Sequence, residues 1–292
     1  MFTNKTYHGF MLNLSEKIHV FLSYRIAKFT TRMQFRVHPD IVQKRPMKIH
    51  LLPAFQDNYL FVTEYEGNAM VVDPGDPEPI IDFLAQTRLH LKLILVTHHH
   101  DDHAGGVNVL RTRFSQAQVM GPSSLSQYEI HCDRTLQKGD TFQFGDRDWQ
   151  TIAVPGHTLD HLAYYSAPVL FCGDSLFSLG CGRVFEGTFA QSFESLQQFK
   201  SLPHETQVYC AHEYTLRNLD FTISYLQQQN GERETDGSLK SYLHLREELA
   251  QKRARGEPTV PTTIGFELKH NLFLRAHDVE EFTAIRSARN KF

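Results

Sequence analysis

Residues 91–103 read Leu91-Lys92-Leu93-Ile94-Leu95-Val96-Thr97-His98-His99-His100-Asp101-Asp102-His103. The first six, apolar apart from Lys92, have the length and composition of a buried strand. The run that follows is crowded with imidazole and carboxylate groups, the donors that zinc and iron(II) accept. On an extended chain leaving a strand, alternate residues share a face, so His98 and His100 can aim at one point. Beyond the bend, Asp102 and His103 can face a second point nearby. Two ions about 3.5–4 Å apart form the clamp of many hydrolases. His99 and Asp101 fill the intervening positions and are expected to point away from the metals.

Two ions need more than four ligands, and three further candidates stand in similar contexts. His157 follows the strand ending at Val154, Asp174 follows the strand ending at Cys172, and His212 follows Gln207-Val208-Tyr209. Singly, each would be an ordinary turn residue. Together with His98, His100, Asp102 and His103 they make seven ligand-type residues at strand ends, which one side of a layered fold can gather. A structural zinc module would need only a closed set of four.

Working outward, short strands are expected at Met47–Leu52, Tyr59–Thr63, Ala69–Asp73, Gln118–Met120, Thr141–Phe144, Trp149–Val154, Ala163–Ser166 and Val169–Cys172. A turn at Glu66-Gly67-Asn68 joins the second and third of these as a hairpin. Helices are expected at Pro79–Gln86 and Val107–Phe114, with Gly106 where backbone must pass close to the metal site. From Tyr214 the character becomes helical. Leu239, Tyr242, Leu243, Leu249 and Ala250 suit one apolar face, and Asp278 can cap a last helix running through Phe282, Ile285 and Arg289. These patterns predict an α+β fold, a sheet-on-sheet sandwich with helices outside, followed by a small helical domain.

Composition sets the limits. The chain has 292 residues, a formal net charge of −3 and 17 histidines. Residues 1–46 hold eight Lys/Arg against two acids, which leaves 22 against 31 for residues 47–292. The body is therefore acidic, which argues against nucleic acid as its partner. The basic leader reads in three ways: as a targeting segment, as a surface-binding helix, or as sequence upstream of a start at Met47. In each case residues 1–46 are expected to be a poorly ordered extension. Cys132, Cys172, Cys181 and Cys210 form no CxxC pair and are too sparse for a disulfide framework, which suits reduced thiols in the cytoplasm. No apolar stretch approaches the roughly 20 residues of a membrane span.

The pattern His98-x-His100-x-Asp102-His103, then Gly156-His157, Asp174 and His212, resembles the metallo-β-lactamase superfamily. Leu52–Tyr59, Val72-Asp73-Pro74-Gly75-Asp76, Cys181–Thr188, Cys210–Thr215 and Ile285–Phe292 resemble the glyoxalase II (hydroxyacylglutathione hydrolase) family within it. The resemblance covers residues 47–292. It implies a four-layer αββα sandwich over 47–213 and a helical glutathione-binding domain over 214–292. It implies two divalent metal ions per chain, zinc first, with iron or manganese as alternatives. His98, His100, His157 and Asp174 would hold one ion, and Asp102, His103, Asp174 and His212 the other. Arg183, Phe185, Tyr214, Arg286 and Arg289 would bind glutathione.

The implied reaction is hydrolysis of S-D-lactoylglutathione and related 2-hydroxyacyl-glutathione thioesters to D-lactate and glutathione, the second step of methylglyoxal detoxification. The attacking group would be a hydroxide held between the metals and oriented by Asp102. The expected partner is this small-molecule thioester, bound by a monomer. Many relatives carry Lys and Tyr where Arg183 and Phe185 stand, and Gly where Asp160 stands. A rival on the same scaffold is a glutathione persulfide dioxygenase with a single iron, which would need fewer ligands than the seven present.

Overall fold

The computed structural model describes residues 47–230 and 237–292. The basic extension over residues 1–46 lies outside the described residues. From residue 47 to the end the chain falls in one compact unit.

Two six-stranded sheets form the middle of the molecule. The first runs, in spatial order, β1 (Lys48–Ala54), β2 (Asn58–Tyr65), β3 (Asn68–Val72), β4 (His90–Leu95), β5 (Gln118–Gly121) and β6 (Arg134–Thr135). The turn between β2 and β3 places Glu66 and Gly67 at φ of 46° and 80°, the doubly left-handed geometry whose twist matches that of paired strands. β3 to β6 then pair in parallel. The second sheet contains β7 (Thr141–Phe144), β8 (Arg147–Ala153), β9 (Leu162–Ser166), β10 (Val169–Gly173), β13 (Gln207–Cys210) and β14 (Thr262–Thr263). β11 (Leu176–Phe177) and β12 (Gly180–Cys181) form a small hairpin beside it.

Alternation sorts the side chains into layers. Phe61, Met70, Val72, Leu93 and Leu95 face inward and pack with Trp149, Tyr164 and Phe171 of the second sheet. Trp149 is fully buried between Phe142 and Phe171, with ring centroids 6.3 and 5.6 Å away. Leu60, Val62, Val71 and Ile94 face outward beneath α1 (Glu78–Thr87), α2 (Asp101–Ala104) and α3 (Val107–Arg113). A register shift skips Lys92, so Leu91 packs outward while Leu93 packs inward. α4 (Phe189–Lys200), α7 (Ile264–His270), α8 (Leu272–Arg275) and α9 (Val279–Lys291) bring Leu196, Ile264, Phe273 and Phe282 onto the second sheet. The architecture is the expected αββα sandwich.

α5 (Thr215–Asn230) and α6 (Gly237–Ala254) pair through Leu219, Ile223 and Tyr242, with Leu239 and Leu249 at the margin. Leu243 does not share this face and is 47% exposed, because it sits one residue, or about 100° of helical turn, past Tyr242. Asp278 caps α9 by accepting the Glu281 N–H.

The sheets are tied together at one end. Tyr59 N–H donates to the Ala211 carbonyl at 2.7 Å, Leu162 N–H to Thr97 at 2.9 Å, and Tyr164 O–H to Val96 at 2.6 Å. The end of β13 is thereby tied to β2, and the end of β4 to β9.

The segment from Ser178 to Gly180 is strapped to the helices. The Glu267 carboxyl accepts Leu179 N–H at 2.8 Å, and the Asn271 amide donates to the Gly180 carbonyl at 2.9 Å. Glu267 is fully buried, and burial outweighs its hydrogen-bond donors, pushing its pKa from 4.5 up to about 7. The folded state keeps this proton to about pH 7, whereas the unfolded chain releases it near 4.5. The group thus costs stability as pH rises through that window, by roughly 3 kcal/mol at most. Glu267→Gln, which keeps an acceptor but cannot titrate, is expected to gain on wild type between pH 5 and 7.5 in chemical denaturation. A stability difference constant across that range would contradict the assignment.

Candidate metal centre

The site is made of strand ends. β4 delivers Thr97 and His98, and His100 is the residue before α2, whose single turn carries Asp102 and His103. The loops after β8, β10 and β13 bring in His157, Asp174 and His212. Two glycines allow these backbones to meet. A Cβ on Gly75 would lie 2.0 Å from the Asp102 carbonyl oxygen, and one on Gly182 would lie 1.8 Å from that of Asp174. Gly106 is also tightly packed, but against the Pro74 carbonyl rather than the site.

The donors form two clusters. In the first, His98 Nε2 and His157 Nε2 each lie 3.0 Å from His100 Nδ1. In the second, Asp102 Oδ2 lies 3.6 Å from His103 Nε2 and 3.4 Å from His212 Nε2. Asp174 stands between them. Its Oδ2 is 3.3 Å from His157 Nε2, and its Oδ1 is 3.3 Å from both His103 Nε2 and His212 Nε2. Tetrahedral ligands 2.0–2.1 Å from a zinc ion would be roughly 3.3 Å apart, so these spacings suit ligands converging on a cation. Three groups of donors in this region lie within 4.8 Å of one another: His98–His100–His157, His98–His103–Asp174 and Asp102–His103–His212.

The opposite ring nitrogens are held by partners. His103 Nδ1 lies 3.0 Å from Asp73 Oδ2, and His212 Nδ1 2.8 Å from Asp57 Oδ1. His157 Nδ1 lies 2.7 Å from the Arg183 carbonyl, and His98 Nδ1 3.0 Å from Thr97 Oγ1, which itself donates to Asp73. An N–H donated outward orients each ring and, when the ring is neutral, leaves the lone pair facing the centre. Asn58 Nδ2 donates to Asp102 Oδ2 at 2.9 Å, and His161 accepts the Asp174 N–H at 3.1 Å and stacks on His98.

Electrostatics divide the clusters in the same way. Burial holds His98 well below the usual imidazole range, with His103 and His161 adding to it, and burial likewise lowers His100 and His157. Burial also opposes charge on His103 and His212. There, however, Asp174 with Asp73, and Asp174 with Asp102 and Asp57, outweigh it and raise the two rings to about 10 and 11. Burial would raise Asp174, but His103 and His212 hold it well below the carboxylate range. The first cluster therefore presents three neutral lone pairs, and the second a surplus of carboxylate that demands positive charge. His103 Nε2 and Asp174 Oδ1 are buried without a hydrogen-bond partner, although each faces the other cluster members. The residues present fit divalent metal.

His99 and Asp101 point away, as expected. His99 stacks on Tyr128 at 4.2 Å and meets Glu186 at 3.2 Å, and Asp101 is exposed. Asp160 accepts the Ser124 N–H at 2.9 Å, a local loop tie. Beside the centre opens a cavity of about 320 Å³ bordered by His157 and Asp174. Arg183, Phe185, Tyr214, Arg286 and Arg289 all border it, together with Arg217 and Asn218, which sequence reasoning did not single out. Tyr214 stacks on His212 at 4.7 Å, and Phe185 lies edge-on to His157 at 5.2 Å.

Fold and ligand cluster together define a class, and the comparisons bear on it directly. The sequence model described as the metallo-beta-lactamase superfamily matches residues 52–212, and that of the hydroxyacylglutathione hydrolase C-terminus matches residues 213–292. The hydroxyacylglutathione hydrolase of Pectobacterium carotovorum is 44% identical over 237 residues, 80% of this chain and 89% of that protein. The protein of the same name from Bdellovibrio bacteriovorus is 42% identical over 83% of this chain and 97% of its own length. The crystal structure of ETHE1 from Myxococcus xanthus superposes with a TM-score of 0.59 at 24% identity, covering 83% of this chain and 90% of that one, a likeness of fold. The chain thus belongs to the metallo-β-lactamase superfamily and, within it, to the hydroxyacylglutathione hydrolase family.

Asp57 is half-buried, and its carboxylate holds the outer nitrogen of His212. Asp57→Asn is expected to weaken metal retention in the second cluster by about 10–100-fold, read by chelator competition, with the fold intact. Retention equal to that of the unaltered chain would remove this role.

Proposed function

We propose that this chain hydrolyses S-D-lactoylglutathione and related 2-hydroxyacyl-glutathione thioesters to D-lactate and glutathione. In this reading His98, His100, His157 and Asp174 hold one divalent ion, and Asp102, His103, Asp174 and His212 hold a second. Zinc is the first choice, with iron or manganese as alternatives. The observation that carries the reading is the orientation of Asp174, with one carboxylate oxygen directed at each cluster. Bound divalent ions supply Lewis acidity, lowering the pKa of water to about 7 and neutralising charge that develops on a carbonyl oxygen.

The protein's own groups do the rest. Asp102, held by Asn58 and facing His212, accepts a hydrogen bond from the attacking water and orients it toward the thioester carbon. The leaving thiolate needs no strong acid, because a free thiol has a pKa near 8.5. Residues 214–292 act as the glutathione-binding part of the chain, and residues 47–213 as the catalytic part. Arg286 and Arg289 present guanidinium groups suited to the glycine carboxylate. Tyr214 offers its ring face and a hydroxyl that burial keeps protonated. Arg183 lies over the Phe185 ring at 5.5 Å, and the two form the rim. Phe185 lacks the hydroxyl donor of a tyrosine, so the effect falls on affinity and not on the reaction.

We place the protein in the cytoplasm as a monomer. All four cysteines are free, and no helix among the described residues is long and apolar enough to cross a membrane.

The test is loss of thioester absorbance with S-D-lactoylglutathione. Metal-loaded protein is expected to turn over. Asp102→Asn is expected to lower kcat by on the order of 10²-fold or more, and Asp174→Ala to lose both metal and activity. A well-folded Asp174→Ala variant with near-normal turnover would overturn the reading. Oxygen uptake with glutathione persulfide, in place of hydrolysis, would replace it with the dioxygenase.

A further inference from the structure

Four guanidinium groups border the cavity beside the metal centre: Arg183, Arg217, Arg286 and Arg289. Among the described residues, the one acid bordering it is Asp174, which faces the imidazoles. Among the described residues, none of the four arginines forms an ion pair with Asp or Glu. Such a cluster concentrates positive potential in the cavity and favours an anionic ligand there.

The arginines occupy two levels. Arg286 is 5% exposed, donates from Nη1 to the Cys181 carbonyl at 2.9 Å, and keeps a buried Nε without a partner. Arg289, one turn further along α9, is half-buried and donates to Asn218 Oδ1 at 3.3 Å. These two form a buried fork. Arg217 belongs to another helix. It sits on α5, three residues after Tyr214, borders the cavity, and is exposed. No side-chain hydrogen bond holds it among the described residues. Burial, then repulsion from Arg286 and Arg217, brings the Arg289 pKa down to about 10, so the three charges are close enough to oppose one another.

A thioester of glutathione carries two carboxylates, one at each end of the peptide, and one ammonium. Resting on the thioester reading above, we propose that Arg217 is a specificity-determining residue that holds the carboxylate of the γ-glutamyl end, while the Arg286–Arg289 fork takes the glycine carboxylate. The buried fork suits one fully desolvated anion. The rim guanidinium suits the second, which stays in contact with water.

Binding of stable thioethers tests this without turnover. The probes are S-methylglutathione and its analogue with 4-aminobutyryl in place of γ-glutamyl, which keeps the ammonium and lacks only that carboxylate. Arg217→Ala is expected to weaken S-methylglutathione binding by roughly tenfold and to leave the analogue within twofold, with Arg217→Lys recovering part of the loss. Equal weakening for both probes, no weakening for either, or no binding of S-methylglutathione to the unaltered chain would each overturn the proposal. If the probes behave as expected while S-D-lactoylglutathione is not hydrolysed, Arg217 keeps its role and the hydrolase reading fails on its own.

Discussion

Everything at the site depends on one carboxylate. Asp174 is buried among imidazoles, with one oxygen 3.3 Å from His157 and the other 3.3 Å from His103 and His212. A buried carboxylate is costly unless positive charge faces it. Here the surrounding rings supply that charge or stand ready to deliver lone pairs to a cation that does. The sandwich exists, in functional terms, to bring the ends of β4, β8, β10 and β13 to this point. Cross-sheet bonds from Tyr59, Leu162 and Tyr164 tie the ends of β13 and β4 to the facing sheet.

Around that centre the structure separates two tasks. The sheets supply imidazole and carboxylate groups at strand ends, where they could hold metal. The later helices supply a cationic cavity and, through Glu267 and Asn271, hold the 178–180 segment in place. Cys181 and Arg183 continue that segment, so its carbonyls serve both parts: Cys181 O receives Arg286, and Arg183 O fixes His157. A shift of this strap would move His157 and Arg286 together.

Much of this was legible in the sequence. The alternation in β2 and β3, the Glu66-Gly67 turn and the apolar run before His98 carry strong local signals. So does the HxHxDH run, because few other reasons put four donors in six residues. The isolated candidates His157, Asp174 and His212 carry weaker signals, and the family motifs strengthen them. What could not be read were partners set by tertiary contact. Asp57 and Asp73 look like turn acids, yet they meet His212 and His103 from 155 and 30 residues away in the chain. Arg217 reads as a solvated helix charge until the cavity shows Arg286 and Arg289 beside it. Spacing puts Leu243 on an apolar face, but a single residue's rotation takes it off.

The central claim is that the seven donors hold two ions rather than one. Native mass spectrometry of the intact chain after equilibration with excess zinc and removal of loosely held metal counts them directly. The account predicts two ions per chain, falling to one when Asp102 and His212 are both replaced by Ala and the first cluster is left intact. One ion in the unaltered chain, with no further loss in that double variant, would contradict it.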